Sequence, residues 1–266
     1  MMIDPLSDIA EYQCKINLNL YDSPQCDRLA TQAAAGRHLW ILPSEDWPSK
    51  QMINTGQFKG HIKGHLINCP SSQVYLVKLC EDDYNAWLPA SSLNDLELTA
   101  NPYIPQSFSE IEIQACIHQI VQFAYHAMDT PNQYLWGGTV GPHYDCSGLV
   151  QAAFGSAGIW LPRDAYQQEG FVRLITLDVR SIMLSCLEFG DLIFFGVNHQ
   201  ADHVGIYLGD GRYIHSSGMQ HGRNGIGIDV LSSQGDAVSR RYLQQLRGVG
   251  RVIRSYESSG SYHLDS

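Results

Sequence analysis

"HVGIYLGDGRYIHSS", running from His203 to Ser217, decides the fold of the second half of this chain. Val204, Ile206 and Leu208 alternate with His203, Gly205 and Tyr207, the period of a strand with one face on a core. After the turn residues Gly209, Asp210 and Gly211, Ile214 continues the apolar set between Tyr213 and His215. If Ile214 shares a face with Val204, Ile206 and Leu208, the pairing parity is fixed, because a slip of one residue would turn Ile214 toward water. The loop then holds an odd number of residues, and Gly209 to Gly211 make a three-residue hairpin. That register sets Leu208 opposite Arg212 and Gly205 opposite His215. His203 and His215 become diagonal neighbours on one face, about 7–8 Å apart at the backbone, a gap that side chains span.

Upstream lies "YDCSGLVQAAF", Tyr144 to Phe154. From Leu149, the apolar residues Leu149, Val150, Ala153 and Phe154 follow helical spacing, and Gly155 and Gly158 are plausible stops. Asp145 or Ser147 caps this helix, so Cys146 sits in its first turn. The free N–H groups and partial positive charge there lower a thiol's pKa and favour thiolate. A lone cysteine reads first as a small buried core thiol. What separates the two readings is a partner: a cysteine nucleophile needs a base, and the base needs a third polar group to fix its tautomer. Cys146, His203 and His215 fill those roles in that order. The same three residues could bind zinc, but without a CxxC or HExxH pattern the metal signal is weak. No metal and no cofactor is expected.

Working outward, "SEIEIQACIHQIVQFAYHAMDTP" opens on a capping box, Ser109 with Glu112, and carries an apolar stripe from Ile113 to Met128. His118 and His126 on this helix read as surface positions. "FGDLIFFG" and "GVGRVIRSY" supply further strands. Helices first and strands afterwards describe an α+β domain with helices packed on an antiparallel sheet. Before a Pro-containing linker at 101–109, short extended pieces ("KINLNLYDSP", "HLWILP", "GHLINCP", "QVYLVKL", "NAWLP") are separated by turn residues, as in a small all-β barrel. Leu29 to Lys63 shows no clear period. The expected division is 1–100 barrel, 101–109 linker, 110–256 second domain and 257–266 polar, frayed tail.

Composition narrows the function classes. Of 266 residues, 44% are hydrophobic and 17% charged, enough to bury a core. A formal net charge of −10 with no Lys/Arg run argues against a nucleic-acid partner. The N-terminus lacks a basic segment followed by an apolar one, and no stretch is long enough to span a membrane, so a cytoplasmic protein without a membrane partner is expected. Seven scattered cysteines, an odd number without a CxxC pair, fit reduced thiols. A monomer is expected.

The second half resembles the NlpC-type family of papain-like cysteine peptidases that cut bacterial cell-wall peptides. The resemblance is carried by "YLWGG", "YDCSGLVQAAF", "LPRDAYQQ", "FGDLIFF", "HVGIYLGDGRYIHSS" and "VGRVIRSY", in order over Glu110 to Tyr256. It implies a papain-like fold, Cys146 as nucleophile, His203 as base, His215 as orienter, and Tyr134 near the nucleophile as an aid to the oxyanion. The backbone N–H of Cys146 is the other natural donor to that oxyanion. The typical bond of the family joins γ-D-glutamate to a diamino acid. Without an export signal, small soluble murein fragments with a free N-terminal L-Ala become the expected substrate, and wall recycling the expected role. Asp145 then offers a carboxylate to the free amine, unless it serves as helix cap. Ser147 beside it is a further substrate candidate. Arg163 offers a bidentate fork to a substrate carboxylate, unless Asp164 takes it. The first half, on "NLYDSP" and "EDDYNAWLP", resembles a bacterial SH3-like module, from which Tyr84 would close the pocket. The alternatives are a peptidoglycan-binding protein with a degenerate catalytic domain, and a papain-like acyltransferase or amidase acting on lipid or protein.

Overall fold

The computed structural model describes residues 10–43, 74–176 and 186–260, and the expected extended piece Gly64 to Pro70, with Cys69, lies outside them. The chain divides into two units, one of them Pro105–Glu257 and the other made of the described residues on either side.

The first unit is all-β. Its strands are β1 (Glu11–Cys14), β2 (Leu18–Tyr21), β3 (Leu29–Ala33), β4 (His38–Ile41), β5 (Val74–Leu79), β6 (Asn85–Pro89) and β7 (Leu96–Leu98). They form an antiparallel sheet in the order β3-β2-β6-β5-β4-β1-β7. Alternation points Tyr12 and Cys14, then Leu39 and Ile41, into a core shared with Leu20, Val77, Leu79 and Leu88. β3 lacks a readable period because the register shifts between Leu20 and Tyr21, which buries the adjacent Ala30 and Thr31 together. The polar tail is held as far as it is described. Ser259 donates its N–H to Asp83 (2.7 Å) and accepts from the buried Lys78 (3.2 Å).

The second unit opens with α1 (Glu110–Asp129), whose Ser109–Glu112 capping box forms as read from the sequence. Ile113, Ile117, Ile120, Val121 and Ala124 are its buried stripe, and His118 and His126 are exposed. Next come α2 (Cys146–Gly155), α3 (Ala165–Phe171), β8 (Arg173–Thr176), β9 (Leu192–Phe195), β10 (His203–Gly209), β11 (Arg212–Ser217), β12 (Gly225–Val230), α4 (Ala237–Gln244) and β13 (Leu246–Arg251). The six strands pair antiparallel in the order β12-β11-β10-β9-β13-β8.

Both faces of this sheet are covered. On one, Val204, Ile206, Leu208 and Ile214 pack with Leu149, Val150, Ala153 and Phe154 of α2 and the stripe of α1. On the other, Phe195, Tyr207 and Tyr213 pack with Val238 and Tyr242 of α4. The second face, expected to meet water, is therefore a second core. Pairing of Ile206 with Ile214 keeps the expected parity, but Arg212 pairs with Gly209 rather than Leu208, through a bulge after Tyr207. The tight turn is Asp210–Gly211, both at positive φ (54° and 75°), the conformation a two-residue hairpin requires. One bulged residue substitutes for one loop residue, so the face of every inward side chain before it is preserved.

Among the described residues no helix is long and apolar enough to cross a membrane.

Candidate active site

The parity of the hairpin puts His203, His215 and Tyr213 on the face that α4 covers. His203 Nε2 lies 2.6 Å from His215 Nδ1, and the rings meet edge to face with centroids 4.9 Å apart. Gly205, opposite His215, is what admits that ring: a Cβ there would sit 3.2 Å from the His215 Cβ and 2.9 Å from the Tyr213 ring. Tyr242 of α4 stacks on His203 at 4.4 Å and 24° and meets His215 edge-on at 5.0 Å. Its hydroxyl shares a 2.7 Å hydrogen bond with Ser217. The loop ahead of His203 is clamped by Glu169 of α3, which accepts from Ala201 N–H (2.9 Å) and from Arg247 (2.9 Å). Arg247 in turn donates to the Asn198 and His199 carbonyls.

Cys146 opens α2 and reaches the same end of β10. Its thiol lies 4.0 Å from the Asp202 carbonyl oxygen, and the Val204 N–H is directed at the sulfur. The strand leading to it is fixed by Ser216, whose hydroxyl donates to the Tyr144 carbonyl (2.6 Å). A backbone-to-backbone approach seats the helix start: Asp145 N–H donates to Gly138 O (3.1 Å), and any Cβ at Gly148 would overlap that same carbonyl.

The electrostatics depart from the simple helix-start argument. Cys146 is 6% exposed. Burial, then the Asp145 charge, push its thiol up to about 12, against the opposing pull of the Val204 and Ser147 N–H groups and Arg163. The expected depression is reversed because desolvation of a thiolate outweighs two hydrogen bonds and a partial dipole. Burial also pushes His203 well below the ordinary histidine value, and the neighbouring His215 and His221 add to it. His215 is lowered by burial despite the raising effect of Asp229. At neutral pH the thiol and both imidazoles are therefore uncharged.

Asp145, Ser147 and Arg163, expected as substrate contacts, hydrogen-bond to one another. Asp145 accepts from Gly148 N–H (2.6 Å), Gly137 N–H (2.9 Å) and the Ser147 hydroxyl (3.3 Å). Arg163, 1% exposed, gives its fork to both Asp145 oxygens (2.6 and 3.2 Å) and a further bond to Ser147 (3.0 Å). A carboxylate this buried needs such donors, and these bonds make Asp145 the cap of α2 and the counter-charge of Arg163. Asp164 caps α3 with Gln167.

Tyr134 is half-buried. Burial, then the Cys146 and Asp145 charges, hold its phenol well above the ordinary value, so it stays protonated and able to donate. Tyr84 is a first-unit residue, half-buried against that unit's core with its N–H donating to Asp82 (3.3 Å).

Asp229, its partner Arg223 and Tyr242 escaped the sequence reading. Asp229 of β12 takes His215 Nε2 at 2.6 Å and is held by Arg223 (2.6 and 3.2 Å) and the Ser239 hydroxyl (3.2 Å). Tyr242 is the third. A signal existed for Asp229: in "GIGIDV" it occupies the alternating set otherwise filled by glycine, the pattern of a strand face kept open for other side chains. Among the described residues no group of three His, Cys, Asp or Glu is arranged to hold a metal ion.

Residues 131–247 match the model of the NlpC/P60 family. Over 111 residues the chain is 41% identical to the bifunctional muramidase/DL-endopeptidase CwlT of Bacillus subtilis, covering 38% of this chain and 31% of that protein. It is 34% identical over 102 residues to the gamma-D-glutamyl-L-lysine dipeptidyl-peptidase of Bacillus subtilis, covering 37% of this chain and 30% of that one. The chain thus spans about a third of the length of these relatives. Among solved structures, an NlpC/P60 family protein from Bacillus cereus is similar at 20% identity and a TM-score of 0.42, covering 92% of this chain and 64% of that one.

Proposed function

With an NlpC/P60 family domain at residues 131–247, we propose that the chain is a cysteine peptidase hydrolysing the bond between γ-D-glutamate and a diamino acid in murein peptides. The observation that carries the reading is the His203–His215 pair, 2.6 Å apart at the end of the strand that Cys146 reaches. In this reading His203 takes the thiol proton as the sulfur attacks the amide carbon, because a thiol held near 12 supplies too little thiolate on its own. The tetrahedral oxyanion takes hydrogen bonds from the Cys146 N–H at the start of α2 and from the Tyr134 hydroxyl. His203 then gives its proton to the leaving amine. Water, activated by the same imidazole, hydrolyses the thioester.

Small soluble fragments with a free N-terminal L-Ala are the proposed substrates, and cytoplasmic recycling of wall peptides the proposed role. The name of one relative supports this choice, since a dipeptidyl-peptidase acts from a chain end.

The test is hydrolysis of L-Ala-γ-D-Glu-diaminopimelate against its N-acetylated and glycan-linked forms, followed by mass spectrometry. Cleavage of the free tripeptide alone is expected. Equal rates on all three would refute reading of the amine, and binding without turnover would point to a peptide-binding protein.

A further inference from the structure

Beyond Cys146, His203 and His215 the polar chain continues, and its direction is determined by chemistry. An ionised carboxylate only accepts hydrogen bonds, so Asp229 requires a proton on His215 Nε2, 2.6 Å away. A neutral His215 protonated at Nε2 has its lone pair at Nδ1. That nitrogen lies 2.6 Å from His203 Nε2, which must therefore carry the proton of their shared bond. Of the two nitrogens of His203, Nδ1 alone remains to receive a proton. We propose that Asp229, anchored by Arg223, is a positioning residue that sets the tautomers of both imidazoles and thereby makes His203 Nδ1 the base. The inference rests on the peptidase reading for its catalytic consequence, but not for the tautomers themselves.

The surroundings are those of an oriented anion rather than an incidental one. Asp229 is 3% exposed and lies opposite Tyr213 on β11, one diagonal step from His215. Arg223 reaches both of its oxygens, and Ser239 of α4 adds a third donor. Burial alone would raise this carboxyl, but the bonds from His215 and Arg223 together hold it below the usual carboxylate range. Arg223 has room because Gly227, opposite His215, carries no Cβ; one there would overlap the guanidinium. The other groups around His215 include His221, lowered by burial and by the Arg241 and His215 charges, and two phenols, Tyr213, with ring centroids 4.9 Å apart, and Tyr242, both raised by burial and therefore neutral. Neither competes with Asp229 for the Nε2 proton. The arrangement needs no rearrangement on turnover: when His203 Nδ1 gains the thiol proton, Nε2–H continues to donate to His215 and His215 to Asp229.

The test is nitrogen-15 NMR of the histidine rings in the full chain, wild type and Asp229→Asn, beside steady-state kinetics on the free tripeptide. Expected in the wild type are Nε2–H tautomers at His203 and His215. Asp229→Asn is expected to introduce the Nδ1–H tautomer at His215, to lower kcat about 10- to 100-fold with KM changed less than about threefold, and to move the acid limb of the kcat profile. Arg223→Lys, which keeps a charge but not the fork, is expected to lie between the two. A wild-type His215 protonated at Nδ1, or an Asp229→Asn protein with wild-type kcat and wild-type ring spectra, would overturn the proposal and leave Asp229 as a β-sheet ion pair. If the wild type shows no turnover but the expected tautomers, the substrate reading fails and this one stands. Should Asp229→Asn fail to fold, the wild-type spectra and Arg223→Lys decide.

Discussion

Replacing Asp145 by Ala removes the α2 cap and the counter-charge of Arg163 in one step, and the two losses are separable. Losing an N-cap carboxylate that accepts from Gly148 at 2.6 Å costs about 1 kcal/mol. Taking the carboxylate away from Arg163, 1% exposed, costs about 3–5 kcal/mol. The expected total is about 4–6 kcal/mol, a large part of the roughly 5–15 kcal/mol that holds an ordinary domain. Arg163→Met should cost less, about 2 kcal/mol, because Asp145 keeps the Gly148, Gly137 and Ser147 donors. In the double variant the stranded guanidinium is gone, so its cost should fall short of the sum by about 2 kcal/mol or more. Urea unfolding followed by circular dichroism, with the slope checked for constancy, gives each value. An Asp145→Ala protein within about 1 kcal/mol of wild type but with a raised KM for the free tripeptide would refute the structural role of the carboxylate and point to contact with the substrate.

Other perturbations follow from the same geometry. Because His203 and His215 are neutral when folded but take up protons near pH 6.5 when unfolded, the stability they contribute is present above that pH and is lost as pH falls toward their lowered folded values. The urea midpoint should therefore drop between pH 7 and 5, and a flat profile would contradict the neutral pair. The acid limb of kcat/KM should likewise lie below about 6.5, with no basic limb at 8–9 from a thiol raised to about 12. Gly205→Ala should leave a folded protein with kcat lowered at least about tenfold, since the added methyl presses on Tyr213 and His215, whereas Gly148→Ala meets the Gly138 backbone and should cost about 3 kcal/mol in thermal unfolding. Alkylation by iodoacetamide at neutral pH should modify the exposed Cys186 before the buried Cys146, as read by peptide mapping.

The parity of one hairpin was legible because apolar side chains sort to one face whatever the turn does; the Leu208 bulge altered the loop without moving His215. The capping box of α1 was legible because it is local. Less visible was the ion pair of Asp145 with Arg163, which joins residues 18 positions apart and depends on α2 and α3 being packed. Asp229 and Tyr242 came into view only with β12, which pairs beside β11, and α4, whose cover on the second face buries those strands. The thiol's pKa was misjudged for a related reason: the helix start is a local feature of sequence, whereas the burial that outweighs it belongs to the whole fold.

The central claim is that Cys146 is acylated with the help of His203. Rapid-quench intact-mass measurement during turnover of the free tripeptide tests it directly. The expected result is a thioester-sized adduct mapping to Cys146, abolished in Cys146→Ala and strongly reduced in His203→Ala. Undiminished hydrolysis by Cys146→Ala, or an adduct on another residue, would contradict it.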